Sequence, residues 1–407
     1  MAQIDHHLLM ALINTTPDRI YFKDREGHFL LVNRAMREFH RIADDAGILG
    51  KTDFDLFLPD HAKDAFNDEK FVLSTGESIV GKLERENLPD GRVAWVSTTK
   101  VPLRGGNGEI IGTCGISRDI TEEHEQSEKL KEYIEALAEK QAQMDQELAL
   151  AREVQFALLP QNYPRFPHSA TESASALKFS HSYLPEGRVG GDFFTVQQLS
   201  DSQAGVLICD VMGHGVHAAL VTAVQRVLVE ELGGVALDPG AFLGELNRRL
   251  HHFFEPLPTS MFVTAFYAVI DVGAGVARVA NASHPQPLHV RRGDKSVRLL
   301  GAKATRHPFA LGVAKDSVYV TEEVPLLPGD FLLFYTDGLC DLGEGKDLSP
   351  EDPIFLQIAK DCSAEHGLSF LNALLNRARA YSGHENFADD VCLVGVEVER
   401  LLEQTSW

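Results

Sequence analysis

No apolar run in the 407 residues approaches the roughly 18 needed to span a bilayer, so nothing in the chain reads as a membrane helix. Basic charge is also short. The 38 Lys and Arg stand against 59 Asp and Glu, a formal charge of -21, which leaves little electrostatic hold on nucleic acid or anionic lipid. The five cysteines, at 114, 209, 340, 362 and 392, include no Cys-x-x-Cys pair and lie mostly beside apolar or β-forming residues. They read as small buried hydrophobes in a reducing compartment. Met1 to Thr16 lacks the basic segment and small-residue cleavage site of a secretory signal, although Leu8 to Ile13 is apolar. A cytoplasmic location is the expectation. Internal repeats and low-complexity tracts are missing as well.

What is present is the 44% hydrophobic, 24% charged mixture of a globular chain with two or three domains. Three segments separate by pattern: residues 1–121, 122–159 and 160–407. In the first, Ile20 to Lys23 and Phe29 to Val32 read as a hairpin around Asp24 to Gly27, and Asn33 stands where a helix N-cap belongs. Helical stretches follow to about Ile42, after Gly50-Lys51-Thr52-Asp53, and from Asp60 through Leu73, ending near Gly76. Strands around Ser78 to Asn87, Val93 to Leu103 and Ile110 to Arg118, with turns at Pro89-Asp90-Gly91 and Gly105 to Gly108, complete a five-stranded antiparallel sheet with inserted helices.

Between Thr121 and Leu159 there is no glycine, and Pro160 ends the run. Leu130, Ile134, Leu137, Gln141, Met144, Leu148, Ala151, Gln155 and Leu158 recur at alternating spacings of four and three, the seam of a two-stranded coiled coil. As one helix the segment is a rod of roughly 55 to 60 Å. Its seam glutamines weaken a coil and permit a change of register. The competing reading is one amphipathic helix lying on its own domain.

Residues 176–399 alternate strands and helices. Strands are expected at Leu207 to Val211, Met261 to Asp271, Val276 to Ala282, Leu288 to Arg291, Val318 to Val324, Phe331 to Thr336 and Val391 to Val398. Helices are expected from Val216 to Glu231, Pro239 to Phe254 and Ser369 to Tyr381, which together argue for an α+β sandwich. Four acidic positions fall where an apolar strand gives way to small residues: Gly190-Gly191-Asp192, Cys209-Asp210-Val211, Thr336-Asp337-Gly338 and Asp389-Asp390-Val391. Convergence of such carboxylates demands cations, and oxygen ligands of this kind suit Mg²⁺ or Mn²⁺. Two ions sharing a water can direct it at phosphorus, so the chemistry expected is metal-assisted hydrolysis of a phosphate ester. A lone Asp-Gly is more often a turn, and His214, flanked by glycines, reads first as a packing or capping residue.

The ordered series Gly190-Gly191-Asp192-Phe193-Phe194, Asp210-Val211-Met212-Gly213-His214-Gly215, Asn281-Ala282-Ser283-His284-Pro285, Leu311-Gly312-Val313, Pro328-Gly329-Asp330 with Tyr335-Thr336-Asp337-Gly338-Leu339, and Asp389-Asp390-Val391 resembles the bacterial PPM (PP2C-type) serine/threonine phosphatases. The branch is that of the stage II sporulation and sigma-factor regulatory phosphatases, and the resemblance begins at Ala151-Arg152-Glu153-Val154-Gln155 and Leu158-Leu159-Pro160. It implies a β-sandwich flanked by helices with two Mn²⁺ or Mg²⁺ ions, held and used for catalysis by Asp192, Asp210, Asp337 and Asp389, with the Val211 carbonyl on the second ion. Asp390 is the alternative member of its acidic pair. The phosphate-holding arginine of eukaryotic relatives has no counterpart, Arg188 lacking the matching context, and Ser283 stands where this branch usually has glycine.

The first segment resembles a PAS sensor domain, on Tyr21-Phe22-Lys23-Asp24-Arg25-Glu26-Gly27-His28-Phe29, Val32-Asn33-Arg34-Ala35, Gly50-Lys51-Thr52-Asp53 and the closing Gly112 to Thr121. The flavin-adduct cysteine of light-sensing relatives is missing, His61 reads as a surface histidine, and the residues do not identify a PAS ligand. The resemblance therefore implies a PAS-regulated phosphatase, dimeric through the PAS domain and the coiled helix. Its substrate would be a phosphoserine or phosphothreonine regulatory protein such as an anti-sigma-factor antagonist. The rival reading is a catalytically inactive phosphoprotein-binding scaffold. A histidine kinase is disfavoured, because its glycine-rich nucleotide boxes are not found.

Overall fold

The first sheet grows from a hairpin. In the computed structural model, which describes residues 6–88, 91–185, 187, 189–213, 215–257, 261–301, 309–342 and 347–403, a helix α1 (His6–Ile13) precedes β1 (Arg19–Asp24) and β2 (Phe29–Val32). Asp24 Oδ1 accepts the N–H groups of Glu26 and His28, and this side-chain turn folds β2 back onto β1. Asn33 caps α2 (Arg34–His40) by accepting the Met36 N–H. After α3 (Asp53–Leu56), α4 (Pro59–Thr75) opens on a proline, whose missing N–H is no loss in a first turn, and closes at Gly76 with φ 72°. β3 (Ile79–Asn87), β4 (Val93–Arg104) and β5 (Ile110–Asp119) complete an antiparallel sheet in the order β2-β1-β5-β4-β3. The Pro89-Asp90 part of the expected turn lies outside the described residues. His61 departs from its surface reading, because its ring packs 4.6 Å from Phe57 and lies near buried Glu86.

One helix, α5 (Thr121–Leu158), runs 38 residues without interruption. The chain divides within it into two compact units, residues 1–141 and 142–407. The expected heptad stripe has two fates. Leu130, Ile134, Leu137 and Met144 are exposed, whereas Leu148, Ala151 and Leu158 are half-buried and Gln155 is buried.

The second unit is two antiparallel sheets face to face. One has the order β13-β10-β9-β8-β7, from β7 (Asp192–Gln198), β8 (Gln203–Val211), β9 (Val263–Asp271), β10 (Val276–Ala282) and β13 (Glu322–Pro325). The other has the order β12-β11-β14-β15-β6, from β6 (Leu177–Leu184), β11 (Leu288–Arg291), β12 (Ser296–Leu299), β14 (Asp330–Tyr335) and β15 (Val391–Val398). Helices α6 (Val216–Glu231) and α7 (Pro239–Phe254) cover the first sheet, and α8 (Pro353–Asp361) and α9 (Gly367–Ser382) cover the second. Strand β14 shows why its sequence is apolar throughout. Leu332 and Phe334 enter the core between the sheets, while Phe331, Leu333 and Tyr335 pack with Phe355, Phe370, Leu371 and Leu374 of α8 and α9. Burying each such side chain contributes roughly 1.5–3 kcal/mol, so this strand end is a rigid platform.

The strand expected from Val318 begins only at Glu322, and Val318 and Val320 lie exposed before it. Strands β6 and β12 and helix α8 are additional to the elements expected from pattern, and β7 carries Asp192 at its edge. Among the described residues no helix is long and apolar enough to cross a membrane. The five cysteines are free thiols, four of them buried and Cys114 half-buried.

Candidate metal centre

Strand pairing brings the first two acids together. Asp192 opens β7 and Asp210 stands directly opposite it on β8, so the two carboxylates share one end of one sheet. From the other sheet, β14 ends at Tyr335 and β15 begins at Val391, and the turns at these ends carry Asp337 and the pair Asp389-Asp390. Thr336 ties the ends together. Its hydroxyl donates to Asp192 Oδ2 at 2.7 Å and accepts the Cys392 N–H at 2.9 Å, while its own N–H donates to the Cys392 carbonyl at 3.1 Å. A buried threonine thus links both sheets of the sandwich beneath the acids.

Glycine is required here by close approach. A Cβ on Gly338 would lie 2.1 Å from the Asp390 carbonyl oxygen, and one on Gly190 would lie 2.2 Å from Asp390 Oδ2. The Gly191 N–H donates to that same Asp390 oxygen at 2.8 Å. The adjacent acids therefore differ: Asp390 is buried and turned onto the Gly190-Gly191 backbone, while Asp389 is half-buried and accepts the Asp390 N–H at 2.7 Å. The Val211 carbonyl faces Gly191, where a Cβ would meet it at 2.7 Å.

The electrostatics are those of like charges under poor hydration. Burial, then the charges of Asp210, Asp390 and Asp337, hold Asp192 well above the usual carboxylate range, against the pull of the Thr336 hydroxyl. Asp210 is pushed up to about 7 by burial and by Asp337, Asp389 and Asp390. Asp337, open to solvent on one side, is raised by partial loss of hydration and by Asp389. The structure thus gathers Asp192, Asp210, Asp337 and Asp389, with Asp390 behind them, within mutual electrostatic reach. Among the described residues no three Asp, Glu, His or Cys side chains close on one point as a finished metal cage would. In chemistry the donor set still fits hard divalent cations: it is all oxygen, and burial with neighbouring aspartates destabilises the charges of Asp192, Asp210 and Asp337. His214 and Arg188 lie outside the described residues.

Two residues of this region escape pattern reading. Thr336 is indistinguishable in sequence from any strand-end threonine. Gln155, assigned to a helix seam by spacing, instead pairs reciprocally with a backbone unit: its Nε2 donates to the Gly190 carbonyl at 2.7 Å and its Oε1 accepts the Gly190 N–H at 3.1 Å. It is the buried residue of α5, and it holds the segment that carries Asp192.

Comparison with known proteins agrees with this architecture. Residues 200–399 match the stage II sporulation protein E (SpoIIE) family, and residues 13–125 match the PAS fold. The chain therefore joins a PAS domain to a PPM-type phosphatase domain of the SpoIIE kind. Phosphoserine phosphatase RsbP of Bacillus subtilis (strain 168) is 29% identical over 198 residues, 48% of this chain and 45% of that protein. Phosphoserine phosphatase RsbU of the same organism is 25% identical over 201 residues, 49% of this chain and 55% of its own. The SiaA PP2C domain of Pseudomonas aeruginosa superposes with a TM-score of 0.52 at 25% identity, covering 63% of this chain and 98% of that domain. The chain spans about half the length of the curated relatives it matches.

Proposed function

We propose that the chain is a cytoplasmic, metal-dependent protein serine/threonine phosphatase regulated by its PAS domain. The observation that carries this is the convergence of mutually repelling aspartates at one end of the sandwich, clamped across the sheets by Thr336. Asp192, Asp210, Asp337 and Asp389, with the Val211 carbonyl, would hold two Mn²⁺ or Mg²⁺ ions. Such ions supply Lewis acidity and an activated water for attack on phosphorus. Asp389 is preferred to Asp390 as the ligand because Asp390 is buried and turned onto the Gly190-Gly191 backbone, whereas Asp389 is half-buried and acts on Asp210 and Asp337. The substrate class is a phosphoserine or phosphothreonine regulatory protein, in keeping with the phosphoserine phosphatases RsbP and RsbU, and an anti-sigma-factor antagonist is the specific candidate. The exposed stripe of Leu130, Ile134, Leu137 and Met144 supports a homodimer through α5, with the PAS domain setting the helix register.

The test is hydrolysis of an aryl phosphate and of a phosphoserine peptide by the full chain, with Mn²⁺ and with chelator. Mn²⁺-dependent turnover that falls at least about a hundredfold in Asp210→Ala and Asp337→Ala is expected. Turnover that survives both substitutions overturns the assignment, and a wild type that binds the phosphopeptide without hydrolysing it favours the scaffold.

A further inference from the structure

The end of β10 and the residues that follow it, Asn281-Ala282-Ser283-His284-Pro285, form a turn that drives one imidazole into the sandwich. Asn281 clamps the turn from both sides. Its Oδ1 accepts the His284 N–H at 2.8 Å, and its Nδ2 donates to the His284 carbonyl at 2.9 Å. Ser283 between them is held at φ 57°, a left-handed conformation that costs a residue with a side chain about 1–3 kcal/mol. Ser283 also bridges to Ala265 on β9. The contacts that hold Ser283 in this conformation also hold the backbone of His284 on both sides.

His284 is 5% exposed. Its Nδ1 meets the Thr264 hydroxyl at 2.8 Å, and Thr264 on β9 is the register partner of Asp210 on β8. Its Nε2 is equally buried and has no hydrogen-bond partner among the described residues, and the Tyr335 backbone of the opposite sheet lies close to the ring. Tyr335 is followed at once by Thr336, which holds Asp192, and by Asp337. One ring therefore lies between the two sheets, with Thr264 of β9, the strand paired to the Asp210 strand, on one side and the Tyr335 backbone, two residues before Asp337, on the other. Burial drives its proton affinity down to about 3, so the ring is neutral at physiological pH and adds no charge to the acids. Were packing its only task, leucine or phenylalanine would fill the space without the desolvation of two ring nitrogens.

We infer that His284 is a positioning residue: a strut that fixes β9, and through its pairing the Asp210 strand, relative to the Tyr335 backbone that leads into the Asp337 turn, and thereby sets the divalent-cation affinity of the site. This rests on the metal reading of the aspartates proposed above.

The experiment titrates Mn²⁺ into the full-length protein by calorimetry, with the melting temperature in chelator as the measure of folding. His284→Asn keeps a polar group near the Nδ1 position and removes the Nε2 end of the strut. Thr264→Val removes one hydroxyl at nearly constant volume, and Thr264→Ser restores it. Both His284→Asn and Thr264→Val should weaken Mn²⁺ binding about tenfold, the usual effect of removing support behind a metal ligand, with little change of melting in chelator. Thr264→Ser should return the affinity to within about threefold of wild type. Folded variants with wild-type Mn²⁺ affinity overturn the inference, as does an affinity loss that merely follows a falling melting temperature. Asp210→Ala separates the two levels. If it abolishes binding while His284→Asn leaves binding intact, the metal reading stands and the strut falls; if the wild type binds no Mn²⁺, both fall.

Discussion

In the PAS unit Lys23 is buried between Asp53 and Glu69, Arg19 donates to Glu86 at 2.6 Å, and Lys100 donates to Asp68 at 3.1 Å. In the phosphatase unit Asp192 is equally buried, yet the charges that act on it are other aspartates. Both regions take carboxylates out of water and both feel the cost, since burial raises Glu69 and Glu86 even beside their cations. The difference lies in where the compensating charge comes from. The PAS core carries its own, on side chains fixed in the fold, and is electrostatically closed. In the phosphatase unit the charges that act on Asp192, Asp210 and Asp337 are all those of other aspartates, and under the metal reading proposed above their compensation comes from divalent cations. A buried ion pair is thus weak grounds for assigning function, whereas a buried group of like charges is strong grounds.

The sharpest way to break this contrast is to open the closed side. Lys23→Met leaves Asp53 and Glu69 buried without their cation and should cost the PAS unit about 3–5 kcal/mol, read as a steep fall of its calorimetric transition. A wild-type transition would mean that the triad is not what holds the unit together. Closing the open side is the next largest effect. Mn²⁺ at about a hundred times its dissociation constant should stabilise the phosphatase unit by about 2.7 kcal/mol and leave the PAS transition in place. Equal shifts of both transitions would dissolve the distinction. Smaller still, Asp210→Asn should raise the melting of the phosphatase unit in chelator, by about 1–2 kcal/mol, because it removes one of the repelling charges while destroying activity. A fall in stability would show that the aspartates are held by contacts that outweigh their repulsion.

Much of the architecture was legible because its signals are local. Asn33 as a cap, Pro59 and Gly76 at the ends of α4, and the apolar run of β14 are each decided by neighbours in sequence. Strand β6 was not, although Leu177, Phe179 and Tyr183 alternate with Lys178, Ser180 and Ser182: it is an edge strand that is mostly half-buried and pairs only with β15, more than two hundred residues later. Val318 and Val320 are strand-like in type but stay exposed, since β13 pairs with β10 only from Glu322. The acids were legible by type and order. The difference between Asp389 and Asp390 was not, because it depends on the approach of Gly191, just before β7 and some two hundred residues away in the chain, to the Asp390 carboxylate.

Gln155 gives the finest test of the comparison, since it ties the helix leaving the PAS unit to the backbone that carries Asp192. By spacing it is the equivalent of Gln141, a polar interruption of a coiled seam. By structure it satisfies both the N–H and the carbonyl of Gly190 in a buried position, two residues before Asp192. The two assignments predict different outcomes for the same chemical change. If both glutamines only weaken a coil, Gln141→Leu and Gln155→Leu tighten the helix pair and alter hydrolysis alike. If Gln155 braces the acid-bearing segment, Gln155→Leu strands two buried backbone groups at about 1–3 kcal/mol each, and part of that appears as disorder at Asp192. We expect Gln155→Leu to lower Mn²⁺-dependent hydrolysis by about three- to tenfold without strengthening the self-association proposed through α5, with Gln141→Leu near wild type. Equal effects in the two variants would return Gln155 to the seam. Because α5 is unbroken between the two positions, the difference in their effects measures where along it a coil position becomes a brace for the site.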